Sequence, residues 1–281
     1  MVIDKKLKEL FDQDWFKDKL IHNEFKPIYN YLSTTMPDLV SEFSYICIKS
    51  GLNPLIDTSF IYNYFLYYKN IKNFNIPNNI KEIGIHAFDN TELESVTFPD
   101  NLEIIGPGAF EQCSQLSISG IPDSVKKIRS SAFFECINLC NKLVLPRNLR
   151  RLGVNAFSGC FMTNLEINCP NLEELGKYCF SYCLELSKVN IEYGVKVIGE
   201  GCFEGCKNLT YIKLPSSLAE IHEYAFSNCK NLKEIDIPDD VSIIKSQAFH
   251  NCLDLKFICH SERIKKRLIN IGIDDKRIRI I

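Results

Sequence analysis

Cysteine is the residue type whose chemistry is most open to interpretation here, because the chain of 281 residues has 13 of them. Two pairs are closely spaced, in the segments Cys179-x-x-x-Cys183 and Cys202-x-x-x-Cys206. Cysteines this close in sequence can ligate zinc, and a thiolate beside a base can act as a nucleophile. Seven cysteines also recur at a nearly constant interval, so the spacing belongs either to a site or to a structural repeat. These seven are Cys113, Cys136, Cys160, Cys183, Cys206, Cys229 and Cys252.

An internal repeat explains the cysteine spacing. Each of the seven lies three residues after a phenylalanine, each phenylalanine follows an alanine or a cysteine, and successive phenylalanines are 22 to 24 residues apart. We therefore interpret the thiols as small core groups and predict no metal site. Because these thiols would be neighbours in the core and must stay reduced, we also predict that the protein works in a reducing compartment. The phenylalanines are Phe88, Phe110, Phe133, Phe157, Phe180, Phe203, Phe226 and Phe249.

The rest of each unit indicates how the repeat folds. Residues 232–237, LKEIDI, end in the alternation of apolar and polar residues that is typical of a half-buried strand. Pro238 then ends the strand, and a second apolar pair follows at Val241 and Ile244. One such unit cannot bury its apolar side alone, whereas stacked units form a continuous core. The sequence therefore predicts a solenoid of about eight copies, made of short strands and irregular segments.

The pattern I-P-x-x-V-x-x-I-x-x-x-A-F-x-x-C-x-x-L-x-x-I resembles the BspA-type leucine-rich repeat over residues 74–260. The resemblance implies a leucine-rich repeat solenoid, which is a curved right-handed stack of coils. It also implies a role in adhesion, host interaction or recognition, since members of this family act in these processes and include phage proteins that block host factors. Residues 261–281 resemble the end cap of that family, with a Ser-capped helix and a last strand. Ser119 and Gly120 depart from the pattern and predict a local irregularity in one strand.

Residues 1–72 do not share the period, and we predict a small all-α N-terminal domain there. Helical spacing of apolar residues indicates a helix over 3–21, Pro37 fits the start of a second helix that ends before Gly51, and residues 59–68 fit a third. This domain either caps the first coil or serves as a second interaction module. The predicted organisation is 1–72 for this domain, 73–260 for the repeats and 261–281 for the C-terminal cap.

Composition and motifs exclude several functional classes. The formal net charge of −2 gives no long-range field for nucleic acid, and the basic run Arg263, Lys265, Lys266 and Arg267 is expected on the solvated face of the capping helix. The start of the sequence has no apolar signal segment, and no stretch is long enough to span a membrane, so we predict a cytoplasmic location. No catalytic or cofactor motif is present, and His86 and His222 fall at turns where solvated side chains are expected. We predict no enzyme activity and no cofactor.

The strand pattern predicts a binding surface. Residues on either side of the first buried position of each strand face outward on the concave sheet. One predicted column of exposed residues contains Ser95, Ile118, Lys142, Asn164, Lys188, Tyr211, Glu234 and Phe257. The other contains Thr97, Gly120, Val144, Glu166, Asn190, Lys213, Asp236 and Cys259. Their centre mixes charged, polar and aromatic residues, as protein interfaces do. The predicted partner-binding residues are Asn164, Glu166, Lys188, Asn190, Tyr211, Lys213, Glu234 and Asp236.

These observations favour a non-enzymatic recognition or inhibitor module that binds a protein partner with its concave face. Two alternatives stay open at this point, a self-assembling structural subunit and a surface adhesin or host-interaction protein. A third, an enzyme with its site in residues 1–70, has candidate groups such as His22 and Glu24 but no motif.

Overall fold

A computed structural model describes residues 71–76, 78 and 80–281, and positions 6, 9, 10, 12–14, 28, 31, 32, 35 and 36 of the first segment. The repeats form a solenoid built from two ladders of parallel strands, which we call the long ladder and the short ladder. This confirms the predicted fold class. The long ladder has nine successive positions, eight strands and one isolated bridge, which is one more than the number of phenylalanine copies, because the coil at the C-terminal end has a strand but no Ala-Phe segment.

Each strand of the long ladder is centred on the buried position that recurs in every repeat. Its middle residue is buried and its outer residues face away from the core, as alternation in a strand requires. The ladder is reduced to a single bridge, between Ser95 and Ser117, at the coil where Ser119 and Gly120 break the pattern. Its strands are Asn73–Asn75, Ser95–Thr97, Lys142–Val144, Asn164–Ile167, Lys188–Ile191, Tyr211–Lys213, Glu234–Asp236 and Lys256–Cys259.

The short ladder uses the second apolar pair of each unit. Each strand has only two residues, of which the second is buried and packs into the core. Pairing is parallel throughout, and the ladder is divided into two sheets of four strands each. Its strands are Glu82–Ile83, Ile104–Ile105, Lys127–Ile128, Arg151–Leu152, Glu174–Leu175, Val197–Ile198, Glu220–Ile221 and Ile243–Ile244.

The phenylalanines form one stack through the core. From Phe88 to Phe249, successive ring centroids lie 5.0–5.7 Å apart and their planes differ by no more than 10°. The separation exceeds the strand spacing of about 4.8 Å, so the rings are offset, an arrangement that aromatic rings prefer to direct overlap. Identical local conformations in each coil therefore copy one ring orientation along the whole solenoid.

The recurring cysteines are core groups, as predicted, and each also makes a defined hydrogen bond. The thiol of each donates to the carbonyl oxygen of the phenylalanine in the preceding coil, with Sγ–O distances of 2.8–3.2 Å. In the first coil Thr91 replaces the cysteine, and its hydroxyl donates to the carbonyl of Phe88 at 2.9 Å. The twelve described cysteines are all free thiols.

A helix and a last strand close the C-terminal end. The helix spans Glu262–Asn270 and buries Ile264 and Leu268, and the strand Ile278–Ile280 pairs in parallel with Lys256–Cys259. Ser261 occupies the N-cap position, but its hydroxyl donates to Asp239 Oδ1 at 2.6 Å and not to the helix backbone. The predicted side-chain cap at this serine is therefore wrong.

The basic run on this helix is only partly solvated, which corrects the expectation of a freely solvated face. Arg263 donates to the Asp239 carbonyl, and Arg267 donates to the Ser242 carbonyl at 2.8 Å. Lys265 lies 2.7 Å from Asp275 Oδ1. The two arginines thus reach back to the last coils, whereas Lys265 pairs with a residue of the cap itself.

We expect Arg277→Ala to lower the free energy of unfolding by about 1–3 kcal/mol. Its guanidinium donates to the carbonyls of Leu255 and Cys252 at 2.8 and 2.7 Å and lies 5.5 Å from the centre of the Phe257 ring. Truncation leaves two acceptors without their donor at the end of the core. Urea denaturation measures the change, and Arg279→Ala, at an exposed position, is the control with an expected change within about 0.5 kcal/mol. Equal effects of the two variants would contradict this role.

The predicted N-terminal helices over 3–21, 37–50 and 59–68 lie largely outside the described residues. Among the described positions, Leu10, Ile28 and Leu32 are buried and belong to the same apolar cluster as the coils. The all-α domain over residues 1–72 and its role stay predictions.

Candidate binding face

The exposed side of the long ladder brings the predicted partner-binding residues together. We call this surface the strand face, defined by Asn164, Glu166, Lys188, Asn190, Tyr211, Lys213, Glu234 and Asp236. Its members alternate with buried residues such as Val189 and Ile212, so the packing of the core fixes the direction in which they project. The strand face is thus positioned by residues that pack in the core.

The strand register places these residues in two rows. Lys188 pairs with Asn164 on one side and with Tyr211 on the other. Asn190 is likewise the partner of Glu166 and of Lys213. Neighbouring members of a row are therefore about 4.8 Å apart, close enough for one partner to contact several. Glu234 and Asp236 lie on the next strand, which forms a separate sheet with Lys256–Cys259.

Two carboxylates of this face lie close to basic side chains. Lys142 Nζ lies 3.2 Å from Glu166 Oε1, and His260 Nε2 lies 2.9 Å from Asp236 Oδ1. For Lys188, Lys213 and Glu234, by contrast, no ion pair occurs among the residues that the structure describes. These three charges remain available to a partner.

Two further groups have the properties of contact residues. The Tyr211 side chain is 52% exposed although it lies at the middle of the face, so it offers a large amphipathic surface of the kind enriched in interfaces. Asn190 Oδ1 is shielded from solvent and has no hydrogen-bond donor within the described part of the chain. A buried acceptor without a donor is costly, and a partner or a water could satisfy it.

The structure corrects both predicted columns. Ser95 bridges Ser117, and Glu234 pairs with Lys256, so Ser117 and Lys256 are the exposed residues of their coils. Ile118 and Phe257, which the sequence placed in the exposed column, are buried, and so is Cys259 of the other column. The error is a shift of one residue, which moves a side chain to the opposite face of a strand. Apolar residues at both positions of Phe257–Ile258 hid the correct alternation.

The expected solvation of two histidines is also wrong. His222 Nε2 lies 2.9 Å from Glu220 Oε2, and His86 Nδ1 lies 3.2 Å from Asp89 Oδ2 and 3.7 Å from Glu111 Oε2. Both histidines are half-buried. Burial, together with the neighbouring Asp89 charge in the case of Glu111, raises the pKa of the Asp89 and Glu111 carboxyls. Sequence spacing gave no sign of this group, because Glu111 comes from the next coil.

His86, Asp89 and Glu111 are the one set of potential metal ligands found among the described residues, with ligand atoms within 4.8 Å of one another. The arrangement could hold a divalent cation. A contact between one histidine and two carboxyl groups explains the same geometry, and we assign no metal to it.

The thiols are poorly suited to nucleophilic catalysis. Burial raises the pKa of Cys113 and Cys252 to about 11 and that of Cys183 to about 12. The reactive form of a cysteine is the thiolate, which these values make scarce at neutral pH. In the described residues, no helix is both long and apolar enough to cross a membrane.

Comparison with known proteins agrees with this architecture. Residues 59–183 and 173–270 match the family described as BspA type leucine rich repeat region, in 6 copies. A leucine rich repeat protein of T. pallidum is 26% identical, with a TM-score of 0.53 over 74% of this chain and 86% of that chain. No curated protein matches the sequence.

Two further leucine-rich repeat proteins of known structure are similar to this chain. A leucine-rich repeat protein from Bacteroides ovatus is 28% identical, with a TM-score of 0.47 over 68% of this chain. Another from Eubacterium ventriosum is 19% identical, with a TM-score of 0.47 over 65% of this chain. The present chain spans 64% and 65% of the length of these two proteins.

Proposed function

The chain belongs to the BspA type leucine-rich repeat family, and from this premise we propose that it is a recognition or inhibitor module that holds a protein partner on its strand face. The fold of this family suggests a protein-interaction or surface-protein role, and leucine-rich repeat solenoids are generally non-enzymatic. One observation carries the proposal. The framework of the coils is repeated, whereas the exposed residues of the strand face differ from coil to coil.

The physical basis is a rigid support with a varied surface. Repetition of the buried residues makes the coils stack, so selection on stability constrains the core and leaves the outward positions of the strands free. The charges of Lys188, Lys213 and Glu234 and the ring of Tyr211 provide a mixed polar and aromatic surface. Such a mixture suits a folded protein better than a row of phosphates.

We further propose that the protein acts in a reducing compartment, the cytoplasm. Each of the seven recurring cysteines lies one coil away from the next along the core, and the twelve described thiols are free. Oxidising conditions would favour disulfides between such neighbours or with other proteins. The free thiols support an intracellular recognition role over a surface adhesin.

Reversing three charges on the strand face should abolish partner binding without unfolding the protein. We expect the variant K188E/K213E/D236K to lose affinity by at least about tenfold, because like charges would then face the partner. Proteins captured from an extract of the organism that encodes the chain are compared by mass spectrometry for wild type and variant. Thermal unfolding checks that both proteins are folded.

The control is K207E/K230E/D240K, which changes the net charge equally at exposed positions of the turns. We expect this variant to capture the same proteins as wild type. If K188E/K213E/D236K captures them normally, or if the control loses them equally, the assignment of the strand face is wrong.

A further inference from the structure

The hydrogen bonding of the short ladder is interrupted at one step, although the coils stay close there, since a Cβ on Gly176 would lie 2.6 Å from the Leu152 carbonyl oxygen, the same distance as between Gly199 and Leu175. At each of the six remaining steps, the residue after the strand donates its N–H to a carbonyl of the preceding coil, at 2.8–3.0 Å. Gly153 donates in this way to Ile128, and Gly199 to Leu175. The corresponding bond from Gly176 to Leu152 is missing from the hydrogen bonds of the described residues, and the two strands belong to separate sheets. We call this place the open step. Backbone donors and acceptors beside it have no partner within the ladder.

Four cations cluster on the two coils before the open step, at Lys127, Arg129, Arg150 and Arg151. None of them has a carboxylate within 4.0 Å among the described residues, and none of their side chains makes a hydrogen bond there. Lys127 and Arg151 are direct partners in the ladder. Like charges at paired positions repel each other, so this cluster is a cost to the fold that a bound anion would remove.

Neighbouring lysines on the same surface behave differently, because each pairs with a glutamate of an adjacent coil. The pairs are Lys126 with Glu103 at 2.8 Å, Lys177 with Glu200 at 2.6 Å and Lys196 with Glu173 at 2.6 Å. Charge pairing between coils is therefore common on this surface. The four cations before the open step lack such a pair and lie together, whereas Lys245, which also has no carboxylate within 4.0 Å among the described residues, stands on a different coil.

The cations line a groove of about 750 Å³ at the open step. Its other walls include Pro107, Leu152 and Val154, and Val154 is 41% exposed. Gly153 also lines the groove. The coils approach so closely there that a Cβ would come within 2.3 Å of the Ser130 amide nitrogen, so only glycine fits and no side chain covers the backbone. The groove thus combines positive charge, apolar side chains and exposed backbone.

This combination indicates the class of ligand. Guanidinium groups bind carboxylates and phosphates through paired hydrogen bonds. The cations occupy two coils only, and Glu173 and Glu174 of the next coil line the same groove. An extended nucleic acid would bring phosphates against these glutamates. A peptide can place a few carboxylates on the cations and an apolar side chain on the exposed Val154.

We propose that the groove at the open step binds an extended acidic peptide segment of a partner protein. Lys127 and Arg129 are two residues apart on an extended chain, which spaces their side chains by about 6.6 Å on one face. Carboxylates at alternate positions of an extended peptide have the same spacing. The groove lies on the short ladder, so this site is separate from the strand face and does not depend on the function proposed for it.

The test uses a fluorescein-labelled octapeptide in which glutamate alternates with valine, and its binding to the full chain is followed by fluorescence anisotropy. We expect wild type to bind this peptide, and R129Q/R150Q/R151Q to bind it at least about tenfold more weakly. Wild type should bind a matched peptide with glutamine in place of glutamate no more tightly than the variant binds the acidic peptide. The three arginine side chains make no hydrogen bonds in the described structure, so the variant should fold, as circular dichroism melting checks.

The control variant K207Q/K230Q/K245Q removes the same charge at exposed lysines outside the groove and should bind like wild type. The proposal is overturned if wild type does not prefer the acidic peptide, if R129Q/R150Q/R151Q binds it normally, or if the control loses equal affinity. It is also overturned if single-stranded DNA or inorganic polyphosphate binds the groove and the peptide does not.

Discussion

Raising the pH above about 9 should unfold the solenoid within roughly one to two pH units, because the seven recurring thiols must stay protonated in the folded state. Burial is the largest cause of the raised pKa at each of them, from about 11 at Cys113 and Cys252 to well above the ordinary value at Cys136, Cys160 and Cys206. The seven thiols are at most 2% exposed, so a thiolate there would lose its hydration. Ionisation and burial therefore exclude each other.

The direction follows from proton linkage. A thiol whose pKa is raised by folding holds its proton more tightly in the folded chain than in the unfolded chain, where the pKa is about 8.5. The stabilisation is complete below that value and is lost as the pH rises toward the folded value. Each thiol then costs about 1.4 kcal/mol per pH unit, so seven cost about 10 kcal/mol per unit. A whole domain is stable by only about 5–15 kcal/mol.

Urea denaturation between about pH 7.5 and pH 10.5, with reductant present, measures this loss as the number of protons released on unfolding. The variant C183S/C206S/C229S keeps a hydroxyl donor for each phenylalanine carbonyl but cannot ionise in this range. We expect it to release about three protons fewer, and C140S, outside the series, to release about one fewer. A free energy of unfolding that stays constant up to pH 10.5 would show that the thiols are not held neutral by the core.

Phe203→Ala should lower the free energy of unfolding by about 3–5 kcal/mol. The ring is fully buried, and its centroid lies 5.6 Å from those of Phe180 and Phe226. Removing it leaves a cavity between three coils and breaks the stack on both sides. Since each coil of a solenoid is stabilised mainly by its neighbours, we also expect unfolding to separate into two steps on either side of the lesion.

Phe161→Ala is the matched control, because it removes the same side chain from a position that is 36% exposed, one residue after Cys160. We expect its effect on unfolding by urea to stay below about 1 kcal/mol. Similar losses for the two variants would mean that the aromatic stack contributes no more than any exposed ring. A single cooperative transition in Phe203→Ala would contradict the nearest-neighbour description of the coils.

The sequence by itself determined the fold and the direction of most side chains. Copies of Ala-Phe-x-x-Cys at a fixed interval can be buried only if coils stack, so periodicity alone placed Phe203 and Cys206 in the core. The strand face was predictable for the same reason, since the alternation in Tyr211–Lys213 leaves only one side for the exposed residues. Where apolar residues adjoin, as at Phe257–Ile258, alternation gives no unique register, and the prediction shifted by one residue.

The tertiary structure decided which residues of different coils meet. Whether Arg151 finds a carboxylate or another cation depends on the strand register and on the break in the short ladder after it, and neither is written in the spacing of one repeat. The same holds for the thiol hydrogen bonds to the preceding coil and for the group of His86, Asp89 and Glu111. Repetition fixes the environment of a residue within its own coil, whereas contacts across coils depend on differences between copies, which only the stacked molecule brings side by side.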